Sequence, residues 1–165
     1  MDKNTKGGTR IYNVLFPLWL LVWIPSPFWL ILIPANYLID RLVLGLSLPK
    51  DEMRERFLPG VTWKVCLAGF AADIAGSLIL LGILSIQKLP SSVTYALQFN
   101  AFGDPLALVM TLGAVAVSGV LIFLFDRRIL AKAGLSSSPA GRTAMRLAVI
   151  TAPYLFLIPS GLLYR

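Results

Sequence analysis

The chain alternates between long apolar runs and short charged segments. A basic tail at residues 1–10 precedes apolar runs at about 11–24, 28–48, 63–87, 105–125 and 143–164. A run of roughly 18 or more apolar residues is long enough to cross the hydrocarbon core of a bilayer as a helix. The pattern therefore predicts an all-α integral membrane protein, with about five short transmembrane helices in a single multi-pass domain.

The first apolar run is short, and a proline turn joins it to the second. As a helix, residues 11–24 would be about 21 Å long, against a core of about 30 Å. Pro25-Ser26-Pro27 cannot continue a regular helix, because proline lacks a backbone donor. Two topologies follow. Either the first two of five spans form a Pro-Ser-Pro hairpin, or three spans are preceded by a re-entrant hairpin.

Composition supports a membrane protein and excludes several kinds of chemistry. The chain is 57% hydrophobic and 14% charged, whereas soluble domains are about 25% charged. It has no histidine and one cysteine, Cys66, which excludes a Ser-His-Asp triad and a histidine-based metal centre. No metal, cofactor or catalytic residue is predicted. The net charge of +7 comes from basic residues that flank apolar runs, so nucleic acid is not an expected partner.

The distribution of lysine and arginine predicts the orientation. If the tail at 1–10 is inside, 12 basic residues lie inside, two lie outside, and Arg41 lies within the membrane. Cytoplasmic segments of membrane proteins carry such an excess of positive charge. We therefore expect a cell-membrane protein with its N-terminus in the cytoplasm and its C-terminus outside, and both hairpin topologies give this result.

Polar residues within the apolar runs mark the main candidate site. Asn36 and Asp40 are four residues apart and share a helix face, and Arg41 follows directly. Asp73 lies at a similar predicted depth in the next run. Charges in a bilayer are costly and are typically paired or functional. The cluster is either an ion or substrate path, or a structural lock in which Arg41 pairs with Asp73.

A second candidate lies where the fourth run ends. Asp126, Arg127 and Arg128 end the run, and Lys132 follows; the basic residues could contact lipid headgroups or a cytoplasmic partner. An ordinary interfacial stop explains the same pattern.

Other features concern helix packing and the connections between helices. Small residues at spacings of three or four favour close helix contacts, and they occur at Ala68, Ala72 and Gly76 in the third run and at Gly113, Ala116 and Gly119 in the fourth. The charged connector at 49–62 could hold a short interfacial helix. The segment at 88–104 is expected to be a loop on the membrane surface.

These features favour a transport-class protein, namely a small channel, carrier or coupling subunit. The alternative is a non-catalytic accessory or scaffold subunit of a membrane complex. An enzyme acting on lipid, with Asp40 and Asp73 as a carboxylate pair, is a third hypothesis, which the absence of a catalytic motif disfavours. The expected partners are the lipid bilayer and either further copies of the chain or another membrane subunit.

Overall fold

A computed structural model describes residues 29–48, 52–86 and 88–160, and for 52–57 it describes the backbone only. Most of the described residues are helical, and none of them forms a strand. Five α-helices and two 3₁₀-helices follow in chain order: α1 (Trp29–Ser47), α2 (Glu52–Leu84), α3 (Ser91–Phe99), a 3₁₀-helix (Ala101–Gly103), α4 (Pro105–Lys132), α5 (Ser137–Thr151) and a second 3₁₀-helix (Tyr154–Leu157). The all-α prediction is confirmed.

Within the described residues, three helices are long and apolar enough to cross a membrane: Trp29–Ser47, Leu58–Leu84 and Pro105–Lys132. Their side chains are distributed with apolar groups outside and several polar groups inside. Leu30 and Leu46 of α1 are 80% and 77% exposed, whereas Asp40 on the same helix is 2% exposed. Such a distribution suits a lipid environment, where leucine side chains can face the lipid and polar groups need partners within the protein.

The predicted segment at 11–24 and the Pro25-Ser26-Pro27 turn lie outside the described residues. The five-span topology and its re-entrant alternative therefore stay predictions.

The helix predicted at 63–87 begins much earlier, because α2 starts at Glu52 and runs for 33 residues. The connector predicted at 49–62 is thus largely helical. Its Glu, Met and Arg residues are good helix formers. Pro59 lies inside the helix and removes only one backbone donor.

The segment at 88–104 is not an irregular loop. It forms α3 and a 3₁₀-helix, with Val93, Ala96 and Leu97 buried. Tyr95 is 65% exposed. The segment therefore packs one face on the helices and leaves the other face open.

The fourth helix begins at the predicted residue and ends seven residues later than predicted. The Asp104 carboxylate caps it by accepting hydrogen bonds from the N–H groups of Leu106 and Ala107, at 2.8 and 3.3 Å. A Schellman motif ends it. Gly134, with a φ of 102°, takes the left-handed conformation, and the Leu135 N–H donates to the Leu130 carbonyl at 3.1 Å.

The prediction of a helix at 143–164 is wrong in both bounds. The α5 helix begins at Ser137 and ends at Thr151, two residues before Pro153. Proline cannot donate its helical hydrogen bond and disfavours helical geometry in the residue before it. At 15 residues, α5 is about 22 Å long, which is shorter than a bilayer core.

The α4 helix is the central element, because it packs against α2, α3 and α5. One cluster of buried side chains includes Leu80, Leu97 and Ala114. A second includes Leu44, Leu130 and Leu147. The smallest, made of Ala72, Ile122 and Ala148, lies on α2, α4 and α5.

The two predicted small-residue faces differ in how far they pack within the described chain, and packing between copies or against another subunit stays a prediction. The α2 face packs closely on α4, where the Ser118 hydroxyl donates to the Ala72 carbonyl at 3.0 Å. A Cβ added at Gly76 would collide with the Ser118 hydroxyl oxygen. On α4, by contrast, Gly113 and Ala116 are exposed, and the buried face of this helix is the one that carries Ser118.

Candidate functional site

Asp40 lies on the inner face of α1, and its neighbour Arg41 lies on the outer face. Asp40 is 2% exposed, whereas Arg41 is exposed and donates to the Tyr37 hydroxyl at 3.4 Å. Successive residues of a helix point about 100° apart, so the two side chains do not share a face. Among the described residues, no hydrogen bond or ion pair joins Arg41 to Asp73.

Asp73 and Asn36 lie together at a cavity of about 190 Å³. Side chains of α1 and α2 form one side of it, and the segment from Ile150 to Phe156 forms the other. The Oδ1 atom of Asp73 is buried without a hydrogen-bond partner among the described residues. The structure thus brings Asn36 and Asp73 to one cavity, whereas Asp40 is not among its lining residues.

The far wall of this cavity is the interrupted end of α5. Because Pro153 has no N–H, the Val149 carbonyl four residues earlier lacks its helical donor. The Tyr154 hydroxyl donates to that carbonyl instead. A side chain has therefore replaced the missing backbone donor.

Two further carbonyl groups at this helix end are left without donors. The Tyr154 N–H donates to the Ala152 carbonyl at 2.7 Å rather than to that of Ile150, as a continuing helix would require. Within the described residues, no hydrogen bond reaches the carbonyl oxygen of Ile150 or of Thr151. Both residues line the cavity. The cavity thus combines a carboxylate, an amide and the electronegative C-terminal end of a helix.

Asp126 is a further buried acid, which the sequence pattern places at the end of the fourth run rather than in the intramembrane cluster. It is fully buried, and neither carboxylate oxygen has a hydrogen-bond partner among the described residues. Because α4 continues to Lys132, Asp126 is an interior residue rather than part of an interfacial stop. Its helical spacing from Ser118 and Ile122 was the available signal, since residues four and eight positions apart share a face.

Three acids with buried side-chain atoms thus lie on three different helices. Asp40 of α1 and Asp126 of α4 are buried, and Asp73 of α2 is half-buried with a buried Oδ1 atom. Among the described residues, no group of three or more cysteine, aspartate and glutamate side chains is arranged to hold a metal ion.

The other predicted site residues lie on the surface. Arg127, Arg128 and Lys132 are exposed in the last turns of α4, and their predicted contact with lipid headgroups or a partner stays a prediction.

No protein-family model, no curated protein sequence and no solved structure matches this chain.

Proposed function

We propose that this chain is a transport-class membrane protein, a small channel, carrier or coupling subunit, and that a small cation or a proton moves past its buried acids. The observation that carries the proposal is the set of Asp40, Asp73 and Asp126 on three helices, because Asp40 and Asp126 are 2% and 0% exposed and the Oδ1 atom of Asp73 is buried. Asp126 and one oxygen of Asp73 lack any described hydrogen-bond partner.

Electrostatics supports this use of the acids. Placing a charged side chain in the bilayer centre costs about 2.5–3.5 kcal/mol on insertion scales. A paired base would remove much of that cost, but Arg41 is exposed and bonds to Tyr37. Among the described residues no base forms an ion pair with these carboxylates, so we assign a proton or a cation as their partner. Such groups in membrane helices typically mark ion and proton pathways.

The cavity beside Asp73 supports the same proposal. Asp73 and Asn36 line it, and so do Ile150 and Thr151, whose carbonyl groups accept no hydrogen bond from a described residue. Oxygen ligands of this kind suit hard cations. In transporters, the C-terminal ends of interrupted helices coordinate cations near the middle of the membrane. We assign the acids to binding and passage, and we propose no catalytic step.

Flux through reconstituted vesicles tests the proposal. The purified chain would be placed in liposomes, and the uptake of protons, Na⁺ and K⁺ would be measured for the native protein and for Asp40→Asn and Asp73→Asn. Each substitution is close to isosteric and removes one negative charge, so we expect flux to fall to the level of empty vesicles while assembly is retained.

Asp104→Asn is the matched control. It removes a carboxylate at the N-terminus of α4, where asparagine caps a helix as well as aspartate does. Its flux should equal that of the native chain. Native flux in both buried-acid variants would refute the proposal. Loss of assembly in Asp73→Asn, with no flux in the native chain, would favour the accessory-subunit alternative instead.

A further inference from the structure

A second cavity, distinct from the one beside Asp73, lies between the end of α1 and the first half of α5. Its volume is about 320 Å³, and it is lined by Ser47, Leu48, Pro139, Arg142, Thr143 and Arg146. Small-molecule sites in proteins begin at roughly this size. The cavity is therefore large enough for a ligand rather than for water alone.

The described lining of the cavity carries two positive charges and no carboxylate. Arg142 and Arg146 are four residues apart on α5, so their side chains share one face of the helix. None of the six described lining residues is acidic. The positive charge of the two guanidinium groups is therefore not balanced by another described residue of the lining.

Hydrogen bonding leaves much of the donor capacity of these groups available. One nitrogen of Arg146 donates to the Ser47 hydroxyl at 3.3 Å, which holds this guanidinium against α1. Arg142 makes no side-chain hydrogen bond to another described residue. Each guanidinium has five N–H donors, and together with the hydroxyl groups of Ser47 and Thr143 they form a site for an acceptor with several oxygens.

We propose that this cavity binds a phosphate group, held by Arg142 and Arg146. Planar guanidinium groups bind phosphate oxygens through paired, charge-assisted hydrogen bonds. Basic pockets between membrane helices bind lipid headgroups in this way. The neighbouring apolar surface suits an acyl chain, because Leu46 and Met145 are 77% and 52% exposed. The same chemistry would accept free phosphate, and the two sources can be separated.

Native mass spectrometry of the full-length chain in a nonionic detergent tests the site. The probes are a short-chain phosphatidylglycerol, the diacylglycerol with the same acyl chains, and inorganic phosphate. We expect saturable binding of phosphatidylglycerol and none of diacylglycerol, which lacks the phosphate. Displacement of the lipid by inorganic phosphate would identify a general phosphate site. Binding of the lipid without displacement would identify a lipid-headgroup site.

The variant Arg142→Gln/Arg146→Gln should weaken phosphatidylglycerol binding by about tenfold or more, because it removes two charge-assisted contacts. Arg146→Lys keeps the charge but loses the paired geometry, so its affinity should be intermediate. Lys64→Gln/Lys88→Gln is the charge-matched control, since both lysines are exposed and lie outside the cavity. It should bind as the native chain does.

Three results would overturn the proposal. The first is an absence of saturable binding of either phosphate probe. The second is equal binding of diacylglycerol and phosphatidylglycerol. The third is an equal loss of affinity in the arginine variant and in the lysine control, which would indicate a general effect of net charge.

Discussion

Gly76→Ala is expected to destabilise the protein, because the contact between α2 and α4 has no room for a methyl group. The added Cβ would collide with the Ser118 hydroxyl oxygen and would lie 3.1 Å from Phe156 Cε2 and 3.3 Å from the Ala114 carbonyl oxygen. The collision also displaces a hydroxyl that donates to the Ala72 carbonyl. Both effects weaken the close approach of the two helices.

The net destabilisation can be estimated from opposing contributions. Overpacking a well-filled site costs about 1–3 kcal/mol. Loss of one hydrogen bond between membrane helices costs about 0.6 kcal/mol on average. Replacing glycine by alanine inside a helix stabilises the helix by about 1 kcal/mol. We therefore expect Gly76→Ala to lower the free energy of unfolding by about 0.6–2.6 kcal/mol. The melting temperature should then fall by about 2–4 °C for each kcal/mol.

The single cysteine provides the assay. Cys66 is 1% exposed, so a thiol-reactive fluorescent dye should label it only when the protein unfolds on heating. Gly82→Ala is the matched control on the same helix, because an added Cβ there meets nothing within 4 Å. That variant should melt at the native temperature or slightly above it.

A double-mutant cycle isolates the contact. In a Ser118→Ala background the colliding oxygen is absent, so Gly76→Ala should cost clearly less than it does in the native chain. Coupling of this kind is expected between residues in contact. If Gly76→Ala and Gly82→Ala melt at the same temperature, or if the Ser118→Ala background makes no difference, the described packing of α2 on α4 is wrong.

Two further predictions concern the end of α5 and the orientation of the chain. Tyr154→Phe removes the hydroxyl that donates to the Val149 carbonyl, so it should cost about 1 kcal/mol in the same melting assay; an unchanged melting temperature would show that this bond contributes nothing. For orientation, single cysteines at Ser92 and Ser136, both exposed, would be introduced into a Cys66→Ala chain and treated with a membrane-impermeant thiol reagent on intact cells. The predicted topology gives labelling at residue 92 and none at 136, and the reverse pattern would show that the orientation is inverted.

The sequence predicts the bounds of the long apolar helices correctly where neighbouring residues determine the helix end. The start of α4 follows from Asp104 and Pro105, a capping residue before a proline in the first turn. The bounds of α1 match the predicted run closely. The apolar pattern does not predict the start of α2, because charged residues limit an apolar run whereas a helix can continue beyond the bilayer. It does not predict the end of α5, because Pro153 ends the helix within the apolar run.

The candidate site could be predicted only in part. The polarity of Asp40 and Asp73 within apolar runs was sufficient to single them out. The short distance along the chain predicts Arg41 as the partner of Asp73, yet Arg41 is exposed whereas Asp40 is buried. The cavity wall at Ile150 and Thr151 depends on how α5 packs beside α1 and α2, which no local pattern specifies.

Asp126 provides the most direct test of the proposed role of the buried acids. It is fully buried without a described hydrogen-bond partner, so it contributes no described polar contact that would hold the helices together. The decisive measurement is cation flux in liposomes for Asp126→Asn beside the native chain, with melting followed through Cys66. A path through the acids predicts that flux falls to the level of empty vesicles while the melting temperature stays within a few degrees of the native value. Full flux in this variant would contradict passage along the three acids.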